Sequence, residues 1–226
     1  MCINPFIITI DGPAGTGKST VAKCLAAALG FTYFDTGALY RAISWKVLQE
    51  KLQLEDAKAL ENLLSTFSFH IKKESQETHY FVEGIDVTLA IRTKEVTAIV
   101  SKVSALNRVR EALKPIQLNI AKEGNTVFEG RDLGTVVFPH ADLKFFLTAR
   151  LEVRAERRYQ ELKKKFPNQS ISFDKILREI EKRDRFDSHR EIAPLKQAQD
   201  AILVDTSSLE IHQVVDQMKR IYEKRV

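Results

Sequence analysis

The chain has 226 residues, 44% hydrophobic and 29% charged, which suits one α/β core with a modest insertion and is short for two full domains. No apolar stretch approaches the ~20 residues of a membrane span. Two cysteines, Cys2 and Cys24, and five scattered histidines supply neither a disulfide framework nor a ligand cluster, so a secreted disulfide scaffold and a structural metal domain are excluded and the reducing cytoplasm is expected.

The net charge of +5 is concentrated in one stretch. Residues 150–190 carry 13 Lys/Arg against 8 Asp/Glu, a cationic arm suited to a polyphosphate or to nucleic acid.

The first predicted strand, 6–10, has no basic region before it and runs straight into a loop, so it reads as a core strand and not a signal peptide. Residues 12–19 are Gly-Pro-Ala-Gly-Thr-Gly-Lys-Ser, a complete G-x-x-x-x-G-K-[ST] phosphate-binding loop between that strand and a helix predicted over 18–29. Gly12, Gly15 and Gly17 leave the backbone free to wrap a phosphate chain. The helix aims its N–H groups and positive dipole end at the same anion. Lys18 is placed to reach the β- and γ-phosphates, and the Ser19 hydroxyl to ligate Mg²⁺. A glycine-rich turn that binds nothing is the competing reading, and the strand–helix setting weighs against it. Gly12, Pro13, Ala14, Gly15, Thr16, Gly17, Lys18, Ser19 and Thr20 are the candidate contacts to a nucleoside triphosphate. Cys24 falls on the helix, where a buried thiol is expected, and Gly30 stops it.

An extended piece, 32–34, precedes a helix predicted from about Gly37 to Glu50. At its opening, Asp35-Thr36-Gly37-Ala38-Leu39-Tyr40-Arg41 offers the Thr36 hydroxyl, helix N–H groups and, about one turn in, the Arg41 guanidinium. Together these make a receptor for a second phosphate group; an N-cap beside a surface arginine would look the same. A short helix over 56–65 follows. Residues 67–71 and 78–82 then alternate strictly, and Glu83-Gly84-Ile85-Asp86 supplies a turn, which predicts a small antiparallel sheet inserted near 67–88. Helices are expected near 93–102 and 105–122.

The β-α rhythm resumes with strands at 126–129 and 143–147. Gly130-Arg131-Asp132-Leu133-Gly134-Thr135 follows the first of them. Arg131 can hold a phosphate and Asp132 can accept from an exocyclic amine such as cytosine N4, or the two can pair to stabilise a turn. Two charged helices, 151–165 and 173–187, come next. Arg183, Asp187 and Arg190 recur at i, i+4 and i+7, on one face if the helix runs that far; Arg154, Arg157 and Arg158 crowd the other arm. A solvated, salt-bridged helix pair explains most such charge runs. An arginine-bearing lid would instead close on the triphosphate, neutralise the transferring group and exclude water. The last strand is predicted at 201–204, and Ser207 with Glu210 forms a capping-box pattern before the final helix.

Five short apolar strands alternating with helices predict a parallel sheet covered on both faces, with ligands outside the carboxyl ends of its strands. A triphosphate loop and a separate monophosphate receptor on that rim point to phosphoryl transfer, which needs positioning and charge neutralisation more than a strong base.

The motifs together resemble those of the bacterial cytidylate kinases, within the nucleoside monophosphate kinase group of P-loop proteins. The resemblance rests on 8–13 with the phosphate loop, 35–41, 130–139, Arg183 with Asp187 and Arg190, and Ala193-Pro194-Leu195, and it spans essentially the whole chain. It implies a single P-loop kinase domain over 1–226, a five-stranded parallel sheet flanked by helices. Within it the resemblance implies a monophosphate-binding region over about 36–122, which includes the inserted sheet, and a helical lid over about 151–190. It further implies transfer of the γ-phosphoryl group of ATP to CMP or dCMP with Mg²⁺, in a cytoplasmic monomer with no nucleic-acid or membrane partner.

By the same resemblance, Arg41, Arg131 and Arg190 hold the acceptor phosphate beside Thr36. Ser101, Arg110 and Asp132 read the cytosine, and Arg183 and Asp187 contact the pentose. Arg154, Arg157 and Arg158 lie in the lid, Arg157 on the ATP side. Lys18, Arg131, Asp132, Arg154, Arg158, Arg183 and Arg190 make up the catalytic set.

Other functions fare less well. A GTPase-type switch calls for a guanine-reading Asn-Lys-x-Asp string, and the sequence has none. A nucleic-acid binder would find few stacking platforms among arginines interleaved with carboxylates. A kinase of the same group acting on another monophosphate or a small alcohol is the nearest competitor.

Overall fold

Apolar runs of four to six residues ending in a polar residue or glycine form the strands, and 3.6-periodic stretches form the helices between them. The computed structural model describes residues 5–74 and 77–226; Cys2 lies outside the described residues. The first half holds β1 (Ile7–Asp11), α1 (Lys18–Leu29), β2 (Thr32–Asp35), α2 (Thr36–Gln49), α3 (Ala57–Thr66), β3 (Phe69–Glu74), β4 (Glu77–Val82), β5 (Ile85–Asp86) and α4 (Lys94–Ser104). The second half holds α5 (Asn107–Lys122), β6 (Thr126–Glu129), β7 (Leu143–Thr148), α6 (Leu151–Lys165), α7 (Phe173–His189), β8 (Ile202–Asp205) and α8 (Ile211–Glu223). The chain divides into two compact units: one comprises the segment up to Phe34 with everything from Ile120 on, the other Asp35–Asn119.

The first unit is built on a five-stranded parallel sheet in the order β2-β6-β1-β7-β8. Its central strands are buried on both faces, as their unbroken apolar runs require. Ile8, Ile10, Val127, Phe145 and Leu147 meet Leu25 of α1 and Met218 of α8 in one core, each large side chain contributing roughly 1.5–3 kcal/mol by burial. The register sets Ile10 opposite Glu129 and Asp11 opposite Phe146. The loops after β1, β6 and β7 therefore leave from one rim, where such sheets bind ligands.

Three local expectations are corrected in this unit. Cys24 is exposed: α1 buries Val21, Ala22, Leu25 and Ala26, and at 100° per residue position 24 falls on the opposite side. The capping box of α8 joins Glu210 to Gln213 and does not involve Ser207 as cap. The Ser207 hydroxyl instead accepts from Arg150 N at 2.9 Å. Arg190, third, lies past the end of α7 and off the helical face of Arg183 and Asp187. The arm α6–α7 carries its own small core of Ala155, Ile176 and Ile180, flanked by Leu151, Tyr159 and Phe173, with charge elsewhere.

In the second unit, α2 packs with β4 around Ala38, Ala42, Tyr80, Val82, Val87 and Ile91. The inserted sheet has three antiparallel strands where the alternation predicted two. Glu83 and Gly84, with φ of 51° and 80°, form the two-residue turn by themselves. Ile85 and Asp86 therefore pair back onto Val82 and Phe81. No helix among the described residues is long and apolar enough to cross a membrane.

Candidate active site

The phosphate loop is held tightly to the sheet. Gly12 has φ of 145°, and a Cβ there would lie 2.1 Å from the Leu147 carbonyl oxygen, so only glycine fits. Gly17 caps α1 with no side-chain hydrogen bond, which leaves the N–H groups of the first turn facing the loop. Lys18 is buried, and its ammonium donates to Pro13 O at 2.6 Å and Thr16 Oγ1 at 3.4 Å. Burial, and next the Arg131 charge, hold its pKa well below the usual lysine value; Arg183 acts the same way, while Glu129 and Asp11 oppose it. Ser19 and Thr20 are exposed on the first turn of α1.

The arginine cluster follows on the same rim. The side chains of the Arg131-Asp132 corner pair outward to α7 and its exit. Arg131 Nε lies 3.5 Å and Arg183 Nε 3.8 Å from Asp187 Oδ2, while Arg190 Nη2 lies 3.1 Å from Asp132 Oδ1. Asp187, Asp132 and the Arg190 side chain are almost wholly buried. Arg183 and Asp187 share a helical face, but Arg190 does not: α7 ends at His189 and Arg190 is extended, with φ −65° and ψ 141°. Leaving the helix lets its Nε donate to Ala193 O at 2.6 Å while the guanidinium reaches Asp132.

The α6 arginines expected in a lid separate into three environments. Arg154 is buried against the loop: its Nε donates to Ala149 O and its Nη1 to Ala14 O, both at 3.0 Å, and Nη1 also pairs with Asp184. Arg157 donates to Thr206 Oγ1 at 3.0 Å and Thr206 O at 2.6 Å. Arg158 is turned to its own helix, 2.8 Å from Glu161 Oε1, and is not brought to the loop.

In the second unit the α2 cap is Asp35, whose Oδ1 accepts from Ala38 N at 3.0 Å, so the helix opens one residue before Gly37 and Thr36 is buried in its first turn. Arg41 donates to Ile91 O at 3.2 Å and Thr97 Oγ1 at 2.9 Å. Arg110 donates to Ser104 O at 3.0 Å and lies 5.6 Å from the Tyr40 ring centroid. Ser101 is half-buried on α4.

A strand–loop–helix phosphate cradle beside a buried arginine–aspartate network can hold two phosphate groups and offset the charge that moves between them. The family model for cytidylate kinase matches residues 8–224. The chain belongs to the cytidylate kinase family. It is 54% identical over 212 residues to the cytidylate kinase of Protochlamydia amoebophila, covering 93% of each chain. Against that of Carboxydothermus hydrogenoformans it is 47% identical over 218 residues, covering 96% of this chain and 97% of the other. A solved shikimate kinase from Bacteroides thetaiotaomicron matches with TM-score 0.50 at 14% identity, covering 96% of this chain and 98% of its own. That likeness concerns the P-loop kinase fold alone.

Three residues of this cytidylate kinase family member receive no role from the motifs, although Asp11 lies within the 8–13 stretch. Asp11 ends β1, and its carboxylate is tied to Leu133 and Gly134; the signal available was an acid closing an apolar strand. Asp184 binds the phosphate loop at Ala14 N, unmarked in a helix crowded with charge. Thr206, one residue past β8, places its Oγ1 3.1 Å from both Thr16 O and Thr148 O.

Proposed function

We propose that the chain transfers the γ-phosphoryl group of ATP to CMP or dCMP, giving ADP and CDP or dCDP, as a cytoplasmic monomer. One observation carries this reading: the glycine loop with its buried Lys18 stands on the same sheet rim as the Arg131–Asp187 and Asp132–Arg190 pairs, whose carboxylates are buried. Cations gathered on one rim repel one another and are balanced when polyanions bind there, which is the charge state of two nucleotides meeting end to end.

The donor triphosphate lies along the backbone of Gly12, Pro13, Ala14, Gly15, Thr16 and Gly17 and the first turn of α1, with Thr20 beside it and Lys18 bearing on the β- and γ-phosphates. Arg157 contributes on the ATP side. Arg131 and Arg190, with Arg41 and Thr36, hold the acceptor phosphate. Asp132, Ser101 and Arg110 read the cytosine; Arg183 and Asp187 contact the pentose. An acceptor phosphate oxygen attacks the γ-phosphorus as the β–γ bridging bond breaks, and the electron pair leaves on ADP. That oxygen is already anionic, so no general base is needed. Arg154, and Arg158 once the lid closes, stabilise the charge in transit and keep water from competing.

Among the described residues no three His, Cys, Asp or Glu side chains gather to hold a metal. The donor set fits Mg²⁺ carried mainly by phosphate oxygens and water, with Ser19 as the protein ligand. Bound there, the ion would offset charge on the phosphates.

The test is a coupled ADP-release assay with CMP, dCMP, UMP, AMP and shikimate as acceptors, with and without Mg²⁺. CMP and dCMP are expected to turn over fastest, and only with the metal. Faster turnover of any other acceptor would refute the base-site assignment.

A further inference from the structure

Asp11 closes β1, and the next residue opens the phosphate loop. Its carboxylate is 4% exposed. Oδ1 accepts from Leu133 N at 3.0 Å and Oδ2 from Gly134 N at 2.8 Å, donors more than a hundred residues away in the chain. Burial outweighs these two bonds and raises its pKa to about 6. A carboxylate kept this dry destabilises the fold when ionised, and a neutral side chain in the same space would not. Core packing therefore does not explain it.

What the two amides control does. Leu133 and Gly134 open the π-helical turn Leu133–Val137, and Asp132 immediately precedes it with φ −142° and ψ 22°. Asp132 meets Arg190, and Arg131 meets Asp187. The turn is pressed onto the strand: a Cβ on Gly134 would lie 3.1 Å from Lys144 Cδ, 3.3 Å from Thr9 Oγ1 and 3.4 Å from Asp11 Oδ2. Lys144 is itself pinned by Pro139 O at 2.6 Å and Asp200 at 2.8 Å. With one side of the turn clamped and the other tied to Asp11, the corner before it has little freedom.

We propose that Asp11 is a positioning residue for the acceptor nucleotide: by gripping the Leu133 and Gly134 amides it sets where the Arg131 and Asp132 side chains meet the acceptor. Asp11 acts through that corner and not by touching substrate, and the inference rests on the phosphoryl transfer to CMP proposed above. The isosteric Asp11→Asn presents an amide group to one of two N–H donors, so one of the grips is lost.

The experiment is steady-state kinetics on the full chain and its variants, varying CMP and ATP separately, with thermal melts alongside. A wild-type chain inactive on CMP would overturn both proposals; an active one makes the variants decisive for this one alone. Asp11→Asn is expected to raise KM for CMP about fivefold or more while KM for ATP stays within about twofold. Gly134→Ala, whose methyl group crowds Asp11 and Lys144, should give the same split. Equal changes in the two KM values, no change in either, a larger change for ATP, or failure of both variants to fold would overturn the positioning role.

Discussion

Asp184 on α7 is hydrogen-bonded to Ala14 of the phosphate loop, accepting from its backbone N–H at 3.2 Å. The other carboxylate oxygen binds the Arg154 guanidinium, which also donates to Ala14 O at 3.0 Å. The base of the arm is thus fastened to the loop through one residue on each side. Asp184→Ala leaves Arg154 only its two carbonyl partners, so the cation stays nearby but loses its orientation. We expect kcat to fall about tenfold, ~1.4 kcal/mol of barrier, with KM for CMP unchanged. An unaltered kcat in the coupled assay would mean that the two carbonyls suffice.

Lys18→Ala should reduce turnover by about a hundredfold or more, some 3 kcal/mol of transition-state stabilisation. The fold should survive, because burial and the Arg131 and Arg183 charges outweigh Glu129 and Asp11 in their effect on the Lys18 ammonium, so its removal relieves more cost than it forfeits. Near-normal turnover in a variant with a wild-type melting profile would remove the loop lysine from the mechanism.

Asp132 binds Arg190 and, in the proposed function, also reads the base, so the two roles need separate variants. Asp132→Asn keeps a carbonyl oxygen for Arg190 and alters the acceptor offered to a cytosine amine. Preference for CMP over UMP should shrink by about 1–3 kcal/mol, the usual value of one base contact, with KM for ATP steady. Arg190→Ala instead removes a buried cation paired with Asp132, and chemical denaturation should show a loss of stability of about 1–3 kcal/mol. An unchanged CMP-to-UMP ratio in Asp132→Asn would exclude Asp132 from base reading.

The Asp11 carboxyl titrates at about 6 in the fold, against an ordinary value of 3.8. Between those values the native state holds a proton that the unfolded chain has released, so stability falls as pH rises through the window. The slope integrates to about 3 kcal/mol for a shift of this size. Denaturation curves collected from pH 4 to 7 should show this decline in the wild type and a flatter profile in Asp11→Asn. Parallel profiles would mean that Asp11 titrates near its ordinary value.

Local pattern was enough for the strand, the glycine-spaced loop and the helix over 7–29, since periodicity and the steric freedom of Gly12 act within a few residues. The antiparallel insertion was equally readable from its alternation, although the third strand was hidden because Ile85 and Asp86 look like turn residues until Val82 and Phe81 pair with them. Arg131, Asp132, Arg183, Asp187 and Arg190 announced themselves as residue types. Their pairing did not, because Arg131–Asp187 and Asp132–Arg190 each span more than fifty residues.

The chain's order of residues determined by itself that a phosphate cradle would form and that arginines would be available to serve it. Only the tertiary structure decided which carboxylate each cation meets, that Arg190 must leave its helix to reach Asp132, and that Asp11 grips the Leu133 and Gly134 amides and Asp184 the Ala14 amide. The reason is physical. Backbone conformation answers to neighbours a turn away, whereas burial and charge pairing answer to whatever the packed sheet brings alongside, and Asp11 meets its amides across 122 and 123 positions of chain.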